Sequence, residues 1–355
     1  MTTRTTGTAT AAAPRRIAVA ATARPALLLV AAAVLAGLCV ASLAAGSKAV
    51  PLDEVVRAVI DRAAARGVNP QVDAIVWGVR MPRTGCAVLV GIALGLAGAL
   101  MQGLTRNPLA DPGLLGVSAG ASFAVVVAVA AFGMSAASEY VWFALAGALA
   151  GAVAVQVLGS MGHGGATPVK IALAGIALTF LLGSCASAIA LRHPEALNRF
   201  RFWSAGSLTG ADPAMLSRMA PLLAAGVLLA VTAGPALNSL ALGDDTAVAL
   251  GRRVGAIRIR AVAAITLLAG TAVAMAGPIV FIGLVVPHVA RLITGPDHRW
   301  LLPATALLAP CLLLFADIVG RVVTRPEEVQ AGIVVAFLGG PFFIALVRRH
   351  RTVEL

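Results

Sequence analysis

The chain has 355 residues, of which 59% are hydrophobic and only 12% are charged. A water-soluble protein of this length must cover itself with polar side chains, so the composition excludes an ordinary soluble domain. The formal net charge of +12 falls in short loops between apolar runs. This distribution favours loop charges that orient membrane spans over a nucleic-acid partner.

The apolar runs are long and show no strand-like alternation, so we predict an all-α integral membrane protein. Since a helix needs about 20 apolar residues to cross a bilayer, the chain has room for about ten spans. We predict a disordered cytoplasmic tail over residues 1–25 and a transmembrane domain over residues 26–350. A signal peptide is the less favoured alternative for the first run, which has nearly full span length. The predicted spans lie near 26–45, 84–104, 114–133, 141–160, 169–191, 214–234, 259–281, 283–294, 301–320 and 329–347.

Two features separate the first two spans. Residues 51–67 carry apolar side chains at helical spacing, which predicts a short amphipathic helix at the membrane surface. Arg80 and Arg83 then stand astride a proline at the outer edge of the second span. Guanidinium groups projecting there could each bind a carboxylate in bidentate fashion. On these residues alone, anchoring to lipid headgroups is the favoured interpretation.

Two connections between later spans are informative. Residues 106–120 (RNPLADPGLLGVSAG) combine turn-forming Asn-Pro and Asp-Pro with small residues, which predicts a tight loop between closely packed helices. Residues 242–255 (LGDDTAVALGRRVG) form a polar stretch with acids at its start and a glycine stop, which predicts a short helix. Charges of both signs suit docking onto a soluble partner, and a plain solvated loop is the alternative.

The last third of the chain contains three histidines and, at position 317, an acid inside an apolar run. His288 and His298 have no acid or cysteine at ligand spacing, so we predict no metal site. The eighth span is short and bounded by Pro287 and Gly295, and we do not expect it to cross cleanly. Asp317 and Arg321 stand four residues apart, which predicts an ion pair within one helix.

The distribution of Lys and Arg in the loops and a repeated interval between glycine and proline both bear on the topology. Lys and Arg are slightly enriched on the side of the N-terminus, so ten spans place both termini in the cytoplasm. The ten-residue interval from Gly98 to Pro108 recurs from Gly277 to Pro287, in spans predicted to run in opposite directions. Such an echo is typical of the inverted repeats of transporters.

Two motifs are absent from the sequence. It contains no G-x-x-x-x-G-K-[ST] or H-E-x-x-H motif, which argues against an ATPase and a zinc protease. The apolar spans hold almost no unpaired acids of the kind that form proton relays. We therefore predict a protein that is not an enzyme and binds no cofactor itself.

Together these motifs resemble the FecCD family of ABC-importer permeases, which includes permeases for cobalamin, haem and ferric siderophores. The resemblance covers nearly the whole chain from about Pro51. It rests on RMPR at 80–83, MQGLTRNPLADPGLLGVSAGA at 101–121, GSLTG at 206–210, ALG-x5-ALG at 241–251, FIGLVVPHVAR at 281–291, DHRWLLP at 297–303, ADIVGR at 316–321 and GGPFF at 339–343.

The resemblance implies a type II importer permease fold with ten spans and inverted repeats, in the cell membrane of a bacterium. It also implies a second permease subunit, identical or paralogous, and two cytoplasmic ATPase subunits that bind the ATP. A binding protein would deliver the substrate from outside. The function implied is uptake of ferric siderophores by alternating access, with haem or cobalamin as alternative substrates. An ion-coupled secondary transporter is the alternative from another class.

The resemblance also implies roles for particular residues. Arg80, Arg83 and Arg321 would receive carboxylates of the binding protein. The coupling loop to the ATPase would contain Leu242, Gly243, Asp244, Asp245, Ala249, Leu250, Gly251 and Arg252. The cytoplasmic gate would contain Asn107, Leu109, Thr167 and Pro168. The chain departs from the family pattern at Pro168, where a small hydroxyl residue is common, and at 328–330, where Glu-Val-Gln replaces Glu-Leu-Pro.

Overall fold

The computed structural model describes residues 23–46, 48, 50–61, 69–161 and 167–351, which form helices without any strand. Most of the predicted tail, residues 1–22, lies outside the described residues, and α1 already begins at Arg24. The helices are α1 (Arg24–Ala44), α2 (Leu52–Ile60), α3 (Pro70–Ile75), α4 (Met81–Thr105), α5 (Val117–Phe132), α6 (Ala137–Ser160), α7 (Pro168–Arg192), α8 (Pro194–Ser204), α9 (Pro213–Leu240), α10 (Asp244–Ala249), α11 (Val254–Ala276), α12 (Ile282–Thr294), α13 (His298–Val323) and α14 (Ala331–Arg351).

Each of the ten predicted spans corresponds to an apolar helix. In the described part of the chain, eight helices are long and apolar enough to cross a membrane, and α5 and α12 are shorter apolar helices. At 1.5 Å per residue, the 13 residues of α12 extend only about 20 Å, less than the roughly 30 Å of a hydrocarbon core. The predicted shortness of the eighth span is confirmed, and its failure to cross cleanly stays a prediction.

The second span begins earlier than predicted. Instead of starting near residue 84, it continues the helix α3 through a π-helical turn, Val76–Arg80, into α4. Together these elements form a 36-residue apolar helix, Pro70–Thr105. Arg80 and Arg83 interrupt the apolar pattern in the sequence, but both side chains are buried. Because their charges have partners inside the protein, they do not end the helix.

The surface helix predicted over residues 51–67 is present as α2, and residues 62–68 lie outside the described residues. Val55 and Ala58 of α2 pack against Val72 and Val76 of the following helical segment. The opposite face of α2 carries Asp53 and Arg57, whose side chains are 70% and 52% exposed. The helix is therefore amphipathic, as its sequence pattern predicts.

The long helix α4 lies at the centre of the bundle and packs against α9, α11, α12 and α13. Its two ends lie on opposite sides of the molecule, which we name after one residue on each. The Arg83 side holds the end of α1, the start of α4 and the end of α13. The Asp244 side holds the end of α4, the whole of α10 and the start of α11, and successive spans alternate in direction between the two sides.

Small residues allow close contact between helices, as expected in membranes. One close approach in the bundle joins Gly98 of α4 to Gly283 of α12. A Cβ added at Gly98 would collide with the backbone carbonyl of Gly283. Because backbone atoms cannot rotate away as a side chain can, even a methyl group must separate the two helices.

We therefore expect Gly98→Ala to destabilise the protein by about 1–3 kcal/mol, the range for overpacked cores. Gly37→Ala on α1 is the matched control, since a Cβ at Gly37 meets nothing within 4 Å. Denaturant titration of the purified variants measures the difference. Equal unfolding midpoints for the two variants would contradict the importance of this contact.

The ten-residue interval from glycine to proline that suggested a repeat falls in different local structures at its two occurrences. Gly98 lies inside α4 and Pro108 follows the end of that helix, whereas Gly277 ends α11 and Pro287 lies inside α12. These glycines and prolines are therefore not equivalent positions. The contact between Gly98 and Gly283 instead joins the two regions directly.

Candidate functional site

The Arg83 side contains a buried cluster of charges. Arg83 is 5% exposed and donates from Nε and Nη2 to Oδ1 of Asp317, over 3.0 and 2.8 Å. Its Nη1 donates to Oε2 of Glu328 over 2.6 Å. One guanidinium group thus joins the start of α4 to α13 and to the segment before α14.

Arg321 occupies the same cluster and is 2% exposed. Its Nη2 lies 2.9 Å from Oδ2 of Asp317, which confirms the predicted ion pair, although the two groups are not aligned as a hydrogen bond. The guanidinium group also donates to the carbonyl oxygens of Ser42 and Ala45 and to the Ser42 hydroxyl. Asp317 is 1% exposed, so one buried carboxylate serves two buried arginines.

Arg80 is also buried, with 4% of its surface exposed. Its two terminal nitrogens donate to the carbonyl oxygens of Leu43, Ala44 and Lys48, over 2.7, 2.9 and 2.6 Å. These carbonyls belong to the end of α1 and the residues after it. A helix end leaves carbonyl oxygens without helical partners, and Arg80 satisfies them.

The expectation that Arg80 and Arg83 project from the membrane surface is therefore wrong, and Arg321 is buried with them. Their sequence positions suggested exposure because each follows or precedes an apolar run. Their partners in fact come from α1, α13 and residue 328, distant in the sequence, and enclose them. The docking role assigned to Arg80, Arg83 and Arg321 stays a prediction, and a docking carboxylate would have to compete with internal carboxylates or carbonyls.

The Asp244 side carries the predicted coupling loop. Residues 244–249 form the short helix α10, with Asp244 and Asp245 in its first turn. Gly243 and Gly251 flank the helix with φ angles of 107° and 73°, which only glycine adopts without strain. The predicted short helix is thus confirmed, and the two glycines permit the backbone turns before and after it.

The loop exposes apolar side chains as well as charges. Leu242, Val248 and Leu250 are 64%, 62% and 60% exposed, while Ala247 is fully buried and holds the helix against the bundle. Arg252 and Asp245 are also exposed. Exposed apolar groups with polar neighbours are typical of a protein–protein contact. Composition drew attention only to the charges of this stretch, so Val248 was missed.

Asp244 connects the loop to two other elements. Its Oδ1 pairs with Arg106, the residue that ends α4, and its Oδ2 accepts from Nη2 of Arg258 on α11 over 2.6 Å. All three side chains are about half exposed. Sequence reasoning did not find Arg106 and Arg258 as partners, because neither lies near Asp244 at a helical spacing.

The predicted gate residues occupy two separate places, the turn after α4 and the start of α7. Asn107 is exposed after α4 and accepts at Oδ1 from the backbone amide of Leu109. Thr167 is the N-cap of α7, accepting from the amide of Lys170, and Pro168 is the first residue of that helix. The structure does not test whether these residues gate a pathway, and this role stays a prediction.

A third polar group on this side ties α9 to α13. Oδ1 of Asn238 lies 2.7 Å from Nδ1 of His298, and Nδ2 of Asn238 donates to Asp297 over 2.6 Å. Burial disfavours the Asp297 carboxylate, but the amide of Arg299 and the Asn238 side chain donate to it, so its pKa lies below the ordinary value. His298 therefore has a structural partner. Among the described residues, no group of His, Cys, Asp or Glu could hold a metal ion.

A cavity of about 820 Å³ opens on the Asp244 side, with Arg258 in its lining. It lies between α4, α6, α7, α9 and α11. Its walls are mostly aliphatic, and its polar lining includes Asn107, Gln156 and Arg258. No motif in the sequence indicated it, because its lining comes from five helices.

Known proteins with similar sequences are iron-transport permeases. The chain is 50% identical over 310 residues to the ferric enterobactin transport system permease protein FepD of Escherichia coli, covering 87% of this chain and 90% of the relative. It is 40% identical over 282 residues to the hemin transport system permease protein HmuU of Yersinia pestis, covering 78% and 84%.

A solved structure has a similar fold. It is described as an inward-facing conformation of a putative metal-chelate type ABC transporter, with a TM-score of 0.79 and 26% identity. The similarity covers 92% of this chain and 99% of the other. The FecCD transport family matches residues 31–349, nearly the whole chain. The chain therefore belongs to the FecCD transport family.

Proposed function

We propose that this chain is the transmembrane permease subunit of an ATP-driven importer for ferric siderophores. The observation that carries the proposal is the 50% identity to a ferric enterobactin permease over 90% of that protein. A haem permease is the second candidate, supported by the 40% identity to a hemin permease. The greater identity and coverage favour the siderophore.

The Asp244 side would face the cytoplasm and the Arg83 side would face outward. The bias of Lys and Arg in the loops supports this orientation. The exposed apolar residues of α10 support it as well, because they project where a soluble ATPase subunit could bind. Both chain ends would then be cytoplasmic, and a binding protein would deliver its cargo to the Arg83 side.

Transport would proceed by alternating access, driven by ATP in two partner subunits and completed by a second permease subunit. The helix α4 suits the transmission of force between the two sides. It has 25 residues, which span about 37 Å at 1.5 Å per residue. Arg83 near its start binds Asp317 and Glu328, and Arg106 at its end binds Asp244. Movement of α10 would thus act directly on α4.

We expect Val248→Glu to weaken binding of the cytoplasmic ATPase subunit by at least about tenfold. Burying a new charge in an interface without a partner costs more than the 1.4 kcal/mol that a tenfold change requires. Leu52→Glu is the matched control, since Leu52 is 59% exposed but lies on α2, on the Arg83 side. Co-purification of the two subunits at graded concentrations measures the difference, and equal binding by both variants would contradict the proposal.

Uptake in cells tests the substrate. Deletion of this chain should abolish uptake of ⁵⁵Fe as a ferric siderophore and leave growth on haem unchanged. Re-expression of the chain should restore the siderophore uptake. Loss of haem use with retained siderophore uptake would support the second candidate. Unchanged uptake of both would contradict an importer role for this chain in either pathway.

A further inference from the structure

The cavity on the Asp244 side is a wedge between α6 and α11. The two helices approach closely near Ala148 and Gly270, where a Cβ on the glycine would lie 3.4 Å from Ala148. Towards the Asp244 side they diverge, and the cavity of about 820 Å³ fills the gap. The start of α7 and the end of α4 complete its walls. We call this space the α6–α11 cleft.

Exposed apolar side chains border the opening of the cleft, the kind of surface that lipid can cover. Its α6 wall presents Leu149, Val153 and Val157, which are 38%, 61% and 55% exposed. These residues are four apart and so form one stripe along the helix. Ile259 on α11 is 74% exposed at the same opening. An acyl chain could therefore enter from the bilayer without crossing a polar barrier.

Two polar groups stand in the otherwise aliphatic lining. The side-chain nitrogen of Gln156 is buried and has no hydrogen-bond partner, an arrangement that is costly unless a ligand supplies an acceptor. Arg258 lies at the level of the loops with half of its side chain exposed. The cleft thus offers an amide donor within it and a cation at its mouth.

The charge balance at the mouth is positive. Arg106 and Arg258 share the single carboxylate of Asp244, which leaves one positive charge uncompensated. Basic pockets between transmembrane helices on the cytoplasmic side are known binding places for anionic headgroups. The combination of an open aliphatic wedge, a buried donor and an excess cation fits an anionic amphiphile better than a polar metal chelate.

We propose that the α6–α11 cleft binds one anionic phospholipid from the leaflet on the Asp244 side. One acyl chain lies between Val153 and the facing residues of α11. The phosphate pairs with Arg258, and an ester carbonyl accepts a hydrogen bond from Gln156. The bound lipid contacts the same arginine that holds Asp244, so it adjoins the loop that we assign to ATPase binding. The lipid site itself does not depend on what the protein transports.

Native mass spectrometry of the purified full-length chain tests the proposal, with phosphatidylglycerol and phosphatidylcholine of identical acyl chains as probes. The unaltered protein should retain one phosphatidylglycerol about fivefold more strongly than phosphatidylcholine, the effect of about one basic residue at a membrane surface. Arg258→Gln should remove this preference. Arg260→Gln, an exposed neighbour outside the cleft, should retain it.

A second pair of variants tests the acyl-chain position. Val153→Trp fills the cleft and should abolish retention of either lipid, whereas Val40→Trp is the control on α1, where Val40 is similarly exposed at 59%. A phosphatidylglycerol with a photoactivatable acyl chain gives an independent result on the unaltered protein. Crosslinks should fall within residues 149–157 and 258–267. Equal retention of the two lipids, unchanged retention by Val153→Trp, or crosslinks spread over other helices would overturn the proposal.

Discussion

Replacing Asp317 with alanine should lower the free energy of unfolding by about 3–5 kcal/mol, the cost of breaking a buried ion pair by removing one partner. Arg83 and Arg321 both pair with this carboxylate, and both are at least 95% buried by the exposures given above. Without Asp317, Arg321 keeps only neutral acceptors and Arg83 keeps only Glu328. Two cations would then lie close together with only the Glu328 carboxylate beside them.

The control for this variant is Asp53→Ala. Asp53 also pairs with an arginine four residues away, but the side chains of Asp53 and Arg57 are 70% and 52% exposed. An exposed pair of this kind contributes about 0.3–0.5 kcal/mol. Denaturant titrations of both variants in detergent measure the difference. A change of less than 1 kcal/mol for Asp317→Ala would show that the cluster is not a structural tie between α4 and α13.

Replacing Asp244 with lysine should reduce transport by at least about tenfold while ATP hydrolysis by the assembled transporter continues. The substitution removes both ion pairs of the loop and places a third cation beside Arg106 and Arg258. Repulsion should then separate α10 from α4 and α11. Hydrolysis would proceed in the partner subunits, but the motion of the loop would no longer reach α4.

The neighbouring acid provides the control for this second prediction. Asp245 is exposed in the same turn of α10, so Asp245→Lys changes the charge of the loop equally without removing the two ion pairs. It should lose less transport than Asp244→Lys, because both ion pairs of Asp244 remain. Uptake and ATPase activity of both variants are measured in the same preparation. If the two variants lose transport to the same degree, loop charge rather than the Asp244 contacts is responsible.

Features encoded locally could be predicted from the sequence. The ten apolar helices follow from runs of hydrophobic residues, and α10 follows from acids and glycines within one short stretch. The short eighth span follows from the proline and glycine that bound it. Ion pairing of Asp317 with Arg321 was also predictable, because a spacing of four places both on one helix face.

Features that depend on distant residues could not be predicted. The burial of Arg83 requires Asp317 and Glu328, which lie 234 and 245 positions away. With those partners unknown, a charged residue beside an apolar run indicates a membrane edge. The early start of the second span was missed for the same reason. The α6–α11 cleft likewise depends on how five helices diverge, which hydropathy does not report.

The most direct test of the proposed function is uptake by proteoliposomes that contain this permease, its partner permease subunit, the ATPase subunits and the binding protein. We predict that ferric siderophore accumulates only with ATP on the Asp244 side, and that an ATPase subunit unable to hydrolyse ATP abolishes accumulation. Accumulation driven by an ion gradient in the absence of ATP would contradict the account and indicate a secondary transporter.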